Sequence, residues 1–541
     1  MKRIQIQRSL VVLPALFLVV TLQALYASSV KLNPPLTNAL VRYAQFTPDS
    51  QKIIYRINYQ DDNSYAIYRV PISGGESVQL SHRGFDGWFT NYVPSVSSNS
   101  EYLVYRSNHE NAEVLELFSV PIHGVFSDTV KLNDQLVVGG DVAAASFNDA
   151  QISPTNDRVA YIADQEMDEK YELYSVPIGG PANAGVKLSA PLLDTEDVTI
   201  FKFTPDGQFI VYMAKCTNCG SSDTAIYSVP SDGPAMAALN LTAALDTGGR
   251  VINFKIGPDS ENLVYESLSQ SGFSHIYKVP IIGGTTPVTV TTRYVDNYDI
   301  SRDGHFIVYS ASPTSTAYAP ELYRVPFATS PNGEIKLNHE LVEGGMVLQF
   351  VITPDSSRVV YHASDTAQTT FGLFAASINA TDPVVKLNDF PIYRWSYPYQ
   401  VTDNSHYVVY PEDDRSAFYR VPIVGPSSAT LRLTAELPDG SYVGPSTVTS
   451  DSRAFVYVAD AETAGVYEFF RVPFNGPVNE TVKINGPMVA GGVVWNIAVS
   501  PNGRYALYLA DEEVVGKWEL YISEINPPLD QHVFLPVVTA H

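Results

Sequence analysis

Cysteine is nearly missing: Cys216 and Cys219 are the only two in 541 residues. A disulfide framework therefore cannot carry the stability of this chain. The run Lys215-Cys-Thr-Asn-Cys-Gly220 has no further His or Cys close by to complete a zinc site. It also lacks the βαβ surroundings of a thioredoxin-like redox centre. A small local disulfide between Cys216 and Cys219 is the expectation. Basic residues are scarce too, 34 against 57 acidic, for a net charge of −23. This excludes the basic footprint of a nucleic-acid binder and leaves basic, cationic or metal partners open. Charged residues are only 17% and hydrophobic ones 45%, which excludes a disordered chain. Histidines are few and scattered, and no two form a ligand motif. No Gly-x-Ser-x-Gly elbow is present, so an α/β-hydrolase nucleophile has no place to sit.

Long apolar runs are absent apart from Ser9–Leu22, which follows Lys2, Arg3 and Arg8. A positive stretch and then a short apolar one reads as a secretory signal peptide, with cleavage near Ala27. The run is short for a membrane span. No Cys follows it to take a lipid anchor, so no stable membrane attachment is expected. The expected layout is residues 1–27 as signal peptide and 28–541 as the mature, exported (secreted or periplasmic) chain.

What the sequence does have is repetition. A Tyr stands seven residues after a turn position in ten successive units: Pro48/Tyr55, Ser98/Tyr105, Pro154/Tyr161, Pro205/Tyr212, Pro258/Tyr265, Arg302/Tyr309, Pro354/Tyr361, Asp403/Tyr410, Ser450/Tyr457 and Pro501/Tyr508. The Tyr-to-Tyr period runs from 44 to 56 residues. Each unit reads as four strands. Strand A precedes a turn such as Pro205-Asp-Gly207, where Pro presets φ and Gly relaxes the exit. Strand B ends in the Tyr. Strand C is of the kind Glu172-Leu-Tyr-Ser-Val-Pro177, and Val-Pro closes it in eight units. A Gly-containing turn leads to strand D, as in Val186-Lys-Leu-Ser189. Four-stranded antiparallel units at this period are β-propeller blades. The expected fold is all-β, ten blades, with one closed ring favoured over two smaller rings in tandem.

The motif Ser/Thr-Pro-Asp-Gly, five residues, Tyr, followed by Leu-Tyr-x-Val-Pro-x-x-Gly-Gly, resembles the TolB-type, WD40-like propeller repeat over about residues 30–537. The resemblance implies the fold and says little of function. Related propellers gate a hydrolase domain in tricorn-type and prolyl-oligopeptidase-type enzymes, and no such domain fits in this chain. An orphan strand-D copy, Val30-Lys-Leu-Asn33, could complete the last blade and clasp the termini. Val533-Phe-Leu-Pro536 competes for that place.

Function is expected on the face that carries the B–C and D–A connections, whose lengths vary while the A–B turns stay short. The acidic B–C loops (Asp61-Asp62; Asp164, Glu166, Asp168, Glu169; Glu412-Asp-Asp414; Asp511-Glu-Glu513) lack a calcium-loop spacing and read as a solvated rim, so no metal or cofactor is expected. The aromatic connection Arg83-Gly-Phe-Asp-Gly-Trp-Phe-Thr-Asn-Tyr92 offers Arg83, Phe85 and Trp88 as binding residues. Arg394 and Trp395 are the second set. The alternating aromatics Tyr393, Trp395, Tyr397 and Tyr399 also fit a buried strand face, with Trp495 in the register of Tyr397. With every repeat accounted for and no catalytic motif, the reading is a non-catalytic scaffold that binds a protein or peptide partner. A carbohydrate-binding or carbohydrate-active, lyase-like propeller is the alternative.

Overall fold

The computed structural model describes residues 29–85, 93–142, 150–216, 224–242, 250–269, 273–291, 293–312, 318–328, 332–367, 370–389, 399–412 and 415–526. The chain is all-β, built mainly of four-stranded antiparallel sheets in the order A-B-C-D, as propeller blades are. Unit 3 shows the pattern: Ala150–Ile152, Arg158–Ala163, Glu172–Pro177 and Val186–Lys187. Both faces of its strand B are apolar, and each serves a different neighbour. Val159 and Tyr161 pack with Val104 and Leu117 of unit 2, whereas Ala160 and Ile162 pack with Phe201 and Ile210 of unit 4. Alternation along one strand thus supplies two interfaces. The Tyr of strand B stacks on the aromatic residue facing it in strand C, Tyr161 on Tyr174 at 5.5 Å and Tyr508 on Tyr521 at 5.4 Å.

Buried clusters of this kind join each unit to the next from unit 1 to unit 10. A further cluster joins Leu507, Leu509, Leu520 and Ile522 of unit 10 to Val41, Phe46 and Ile53 of unit 1. The last sheet is completed from the other end of the chain: Val30–Lys31 pairs with strand C of unit 10, Glu519–Glu524, with Val30 opposite Ile522 and Lys31 opposite Tyr521. Val533–Pro536, the competitor, lies outside the described residues.

Strand D is shorter than the four residues its motif suggests. Only the Val-Lys pair is laddered, as in Val130–Lys131 and Val482–Lys483. The Leu then donates one more backbone bond (Leu132 N–H to the Leu117 carbonyl, 2.8 Å), and the Asn side chain takes the next position. Asn133 Oδ1 accepts from Leu117 N–H at 2.7 Å, Asn485 from Phe469 at 2.7 Å and Asn33 from Leu520 at 2.6 Å. The Lys reaches the buried Glu that opens strand C: Lys187 to Glu172 at 2.6 Å, Lys483 to Glu468 at 2.9 Å, Lys31 to Glu519 at 2.7 Å.

The A–B turns form a linked series. Several leave through a left-handed residue that is not Gly, among them Ser50 (φ 57°), Ser100 (61°) and Ser356 (58°). The reason is a bond between neighbouring turns. Asp49 N–H donates to Ser100 Oγ at 3.0 Å and Asp303 N–H to Ser356 Oγ at 3.2 Å. Asn502 N–H of unit 10 donates to Ser50 Oγ of unit 1 at 3.2 Å.

Strand A carries a feature that strict alternation does not foresee. Its pairing with strand B skips a residue at the same place in six units, leaving Arg42, Thr199, Ile252, Asp296, Leu348 and Trp495 unpaired, each six residues before the turn. Such bulges twist the strand and turn a side chain outward. This corrects the buried-face expectation for Trp495. It is 66% exposed, edge-on to Trp518 at 5.8 Å, because it is the bulged residue. Tyr399 does pack between units 7 and 8, while Tyr393, Trp395 and Tyr397 lie outside the described residues.

Candidate functional site

The acidic B–C loops are held by their own carboxylates. Asp164 is buried and accepts from Asp141 N–H at 2.5 Å and Glu169 N–H at 3.1 Å. Asp511 does the same for Val493 N–H at 2.6 Å and Gly516 N–H at 2.8 Å. These acids fix the D–A connection against the B–C loop. Among the described residues no group of three or more His, Cys, Asp or Glu side chains is placed to hold a metal ion.

Of the residues singled out by sequence, Arg83 and Phe85 lie on unit 1. The Arg83 guanidinium covers the Tyr59 ring at 3.7 Å and meets Asp62 at 3.4 Å. Phe85 is 49% exposed; its N–H donates to Asn108 Oδ1 at 2.9 Å, and the Gly84–Phe85 strand pairs with strand C of unit 1. Trp88, Arg394, Trp395 and Cys219 lie outside the described residues, so the expected disulfide does too; Cys216 ends strand B of unit 4.

Beside Arg83, His82 of unit 1 stacks on His109 of unit 2, with centroids 4.7 Å apart and planes within 8°. Phe118 and Phe126 flank the pair. Burial, then the neighbouring His82, holds His109 below its ordinary value; Lys131 adds to this and Glu110 opposes it. The unfolded chain therefore binds this proton more readily than the folded one. The stability due to this site is complete above about pH 6.5 and is lost as pH falls below it. Thermal unfolding of wild type and His109→Phe at pH 7.5 and 5.5 checks this: the variant should lose less on acidification. Equal losses would remove His109 as a source of the pH dependence.

Among the described residues a cavity of about 400 Å³ lies between units 4 and 5, within the range of small-molecule sites. Two consecutive bulges build it, Thr199 and Ile252, at the end of the sheets where the B–C and D–A connections emerge. Thr224 of unit 4 pairs in parallel with Arg250 of unit 5 and seams the two sheets together. Ile200, Met213, Val251 and Phe254 form apolar walls, and Lys202, Lys215 and Arg250 contribute three cations. Lys202 Nζ is 3.5 Å from the Phe254 carbonyl and 5.4 Å from its ring centroid. Burial, then the adjacent Lys255 ammonium, holds Lys202 below the ordinary lysine value, with Asp299 acting the other way. Asn253 lines the cavity and donates to Glu266 Oε2 at 2.7 Å. Glu266 also accepts from Ser274 Oγ, and burial raises its carboxyl above the usual range. The sequence reading passed over this site because its cations are dispersed over three strands of two units. The available signal was the pair Lys202 and Lys255, each three residues before its turn on strand A.

No family model and no curated protein matches the chain. Among solved structures it is similar to a prolyl endopeptidase (11% identity, TM-score 0.40), covering 79% of this chain and 55% of that one. It is similar to dipeptidyl peptidase 4 of Porphyromonas gingivalis (11%, TM-score 0.44; 77% and 64% covered). It is similar as well to a TolB of Agrobacterium tumefaciens (18%, TM-score 0.27; 46% and 81% covered). The chain thus spans little more than half the length of the prolyl endopeptidase. The expectations of a non-catalytic scaffold and of no enzyme activity are corrected by these neighbours, two of which are peptidases. Among the described residues, no helix is long and apolar enough to cross a membrane.

Proposed function

We propose that this chain is an exported, ten-bladed propeller of the TolB type that takes a small molecule, as ligand or substrate, into the cleft between its fourth and fifth units. The apolar run after Lys2, Arg3 and Arg8 supports export, and the Pro-Asp-Gly and Val-Pro motifs support the TolB type. One ring rather than two is supported by the cluster shared between units 10 and 1, by the bond from Asn502 to Ser50, and by the pairing of Val30–Lys31 with unit 10.

The observation that carries the ligand reading is the cavity of about 400 Å³ at two facing bulges. Bulges re-aim side chains beside binding sites, and this one mixes apolar walls with polar groups that would orient a bound molecule. Ile252 is 40% exposed and unpaired in the ladder, so a larger side chain there enters the cavity without disturbing the core. Ligand-observed NMR of the mature chain against a small-molecule library should give hits that Ile252→Trp loses. Hits retained undiminished in Ile252→Trp would place the ligand elsewhere and end the reading.

A further inference from the structure

We infer that the ligand of this cleft is a small organic oxyanion, its charge held by Lys202, Lys215 and Arg250 and its carbon body by Ile200, Met213 and Phe254; this rests on the cleft being a ligand site. The chain is strongly acidic, yet among the described residues no carboxylate lines the cavity. A random sample of this surface would put more acids than bases there. Strand-D lysines, by contrast, are spent on internal pairs, as Lys187 is on Glu172 and Glu166 and Lys483 on Glu468 and Glu462. Among the described residues, none of the three cleft cations is ion-paired to a carboxylate. Three described acids on the surrounding strands are engaged. Asp197 stands opposite Lys215 in the ladder, but its Oδ1 accepts from Tyr171 N–H at 2.9 Å. Asp299 is taken by Lys255 at 2.7 Å. Glu266 is turned to Asn253 and Ser274.

Ammonium and guanidinium groups only donate hydrogen bonds, and what they lack here is an anionic acceptor, Lys202 having only the Phe254 carbonyl at 3.5 Å. A carboxylate or phosphate supplies several, and the planar guanidinium of Arg250 fits either in bidentate fashion. Partial burial of Lys202 favours an anion over water as its partner, since a desolvated ammonium gains more from an opposite charge. The apolar walls favour a ligand with carbon attached over a bare inorganic ion.

The test is calorimetric titration of the mature full chain at low ionic strength with succinate, phenylphosphate, inorganic phosphate and neutral succinamide. One organic anion should bind with one-to-one stoichiometry, at least tenfold tighter than inorganic phosphate, with succinamide silent. Lys202→Gln and Arg250→Gln should each weaken it tenfold or more. Arg302→Gln, an exposed cation on an A–B turn, should not. Succinamide binding as well as succinate, and lost in Ile252→Trp, would overturn the oxyanion class while leaving the cleft as a site. Anion binding that neither cleft variant weakens would overturn both. Absence of binding by every anion would overturn the inference, given unfolding curves matching wild type for the variants.

Discussion

Deleting residues 30–33 from the mature chain should open the molecule at unit 10 before any other part unfolds. The segment is small, but each of its groups is used. Leu32 is 3% exposed within the cluster that joins units 10 and 1, and burying one such side chain contributes about 1.5–3 kcal/mol. Asn33 Oδ1 satisfies Leu520 N–H, a buried donor whose loss of a partner costs about 1–3 kcal/mol. Lys31 neutralises Glu519, 1% exposed, which would keep Lys517 at 3.4 Å and the Tyr521 hydroxyl at 3.4 Å. The first two alone come to about 2.5–6 kcal/mol, concentrated in one unit. In a stacked repeat protein each unit leans on its neighbours, so loss at one interface appears as local opening rather than uniform weakening. Calorimetry should show a new, earlier transition, and limited proteolysis should cut within 505–526 at temperatures where the full chain resists. A single transition at the wild-type temperature would mean that the clasp contributes nothing, and would remove one support for a single ring.

The orphan copy Val30-Lys-Leu-Asn33 was legible as a candidate for the last sheet because it duplicates the strand-D motif, but Val533-Phe-Leu-Pro536 competed with it, and it is the ladder to Glu519–Glu524 that places it. Sheet order and the strand-B Tyr were legible for a similar reason: ten copies of one spacing average away local noise. The bulge in strand A was not legible. It changes register by one residue without changing residue types, so Trp495 reads as core by alternation and is placed in solvent by the ladder. The cleft was missed for a related reason. It depends on which strands of consecutive units face each other, and Lys202, Lys215 and Arg250 stand on three different strands of two units. The aromatic segments that drew attention, around Trp88 and Trp395, were conspicuous for composition alone, and of their five proposed residues only Arg83 and Phe85 are among those described.

A pairing that could have been read is the ion pair within units 2, 3, 6 and 9, because its partners keep one distance. Glu116 and Lys131, Glu172 and Lys187, Glu321 and Lys336, Glu468 and Lys483 are all fifteen apart. Where strand C carries Ala66, Ala225 or His275 at that position, strand D carries the neutral Gln79, Asn240 or Thr289; Gly372 and Ala417 stand there with Lys386 and Arg432 in strand D, so the cation occurs without the Glu but none of these units has the Glu without the cation. The buried Glu thus requires its cation. That gives the second large expectation, in unit 3. Lys187→Met should cost about 3–5 kcal/mol, because Glu172 is left in the sheet as a desolvated carboxylate. Glu166→Gln, which removes only the exposed partner of the same lysine, should cost under about 1 kcal/mol. Glu172→Gln combined with Lys187→Met should recover most of the loss, since an apolar or neutral pair of similar volume removes the buried charge altogether. Chemical denaturation of the four proteins closes the cycle. If the double variant is as unstable as Lys187→Met, packing of the lysine stem rather than the carboxylate's need for a cation explains the pairing. If Lys187→Met matches wild type, the fifteen-residue spacing marks sheet register and not an electrostatic requirement.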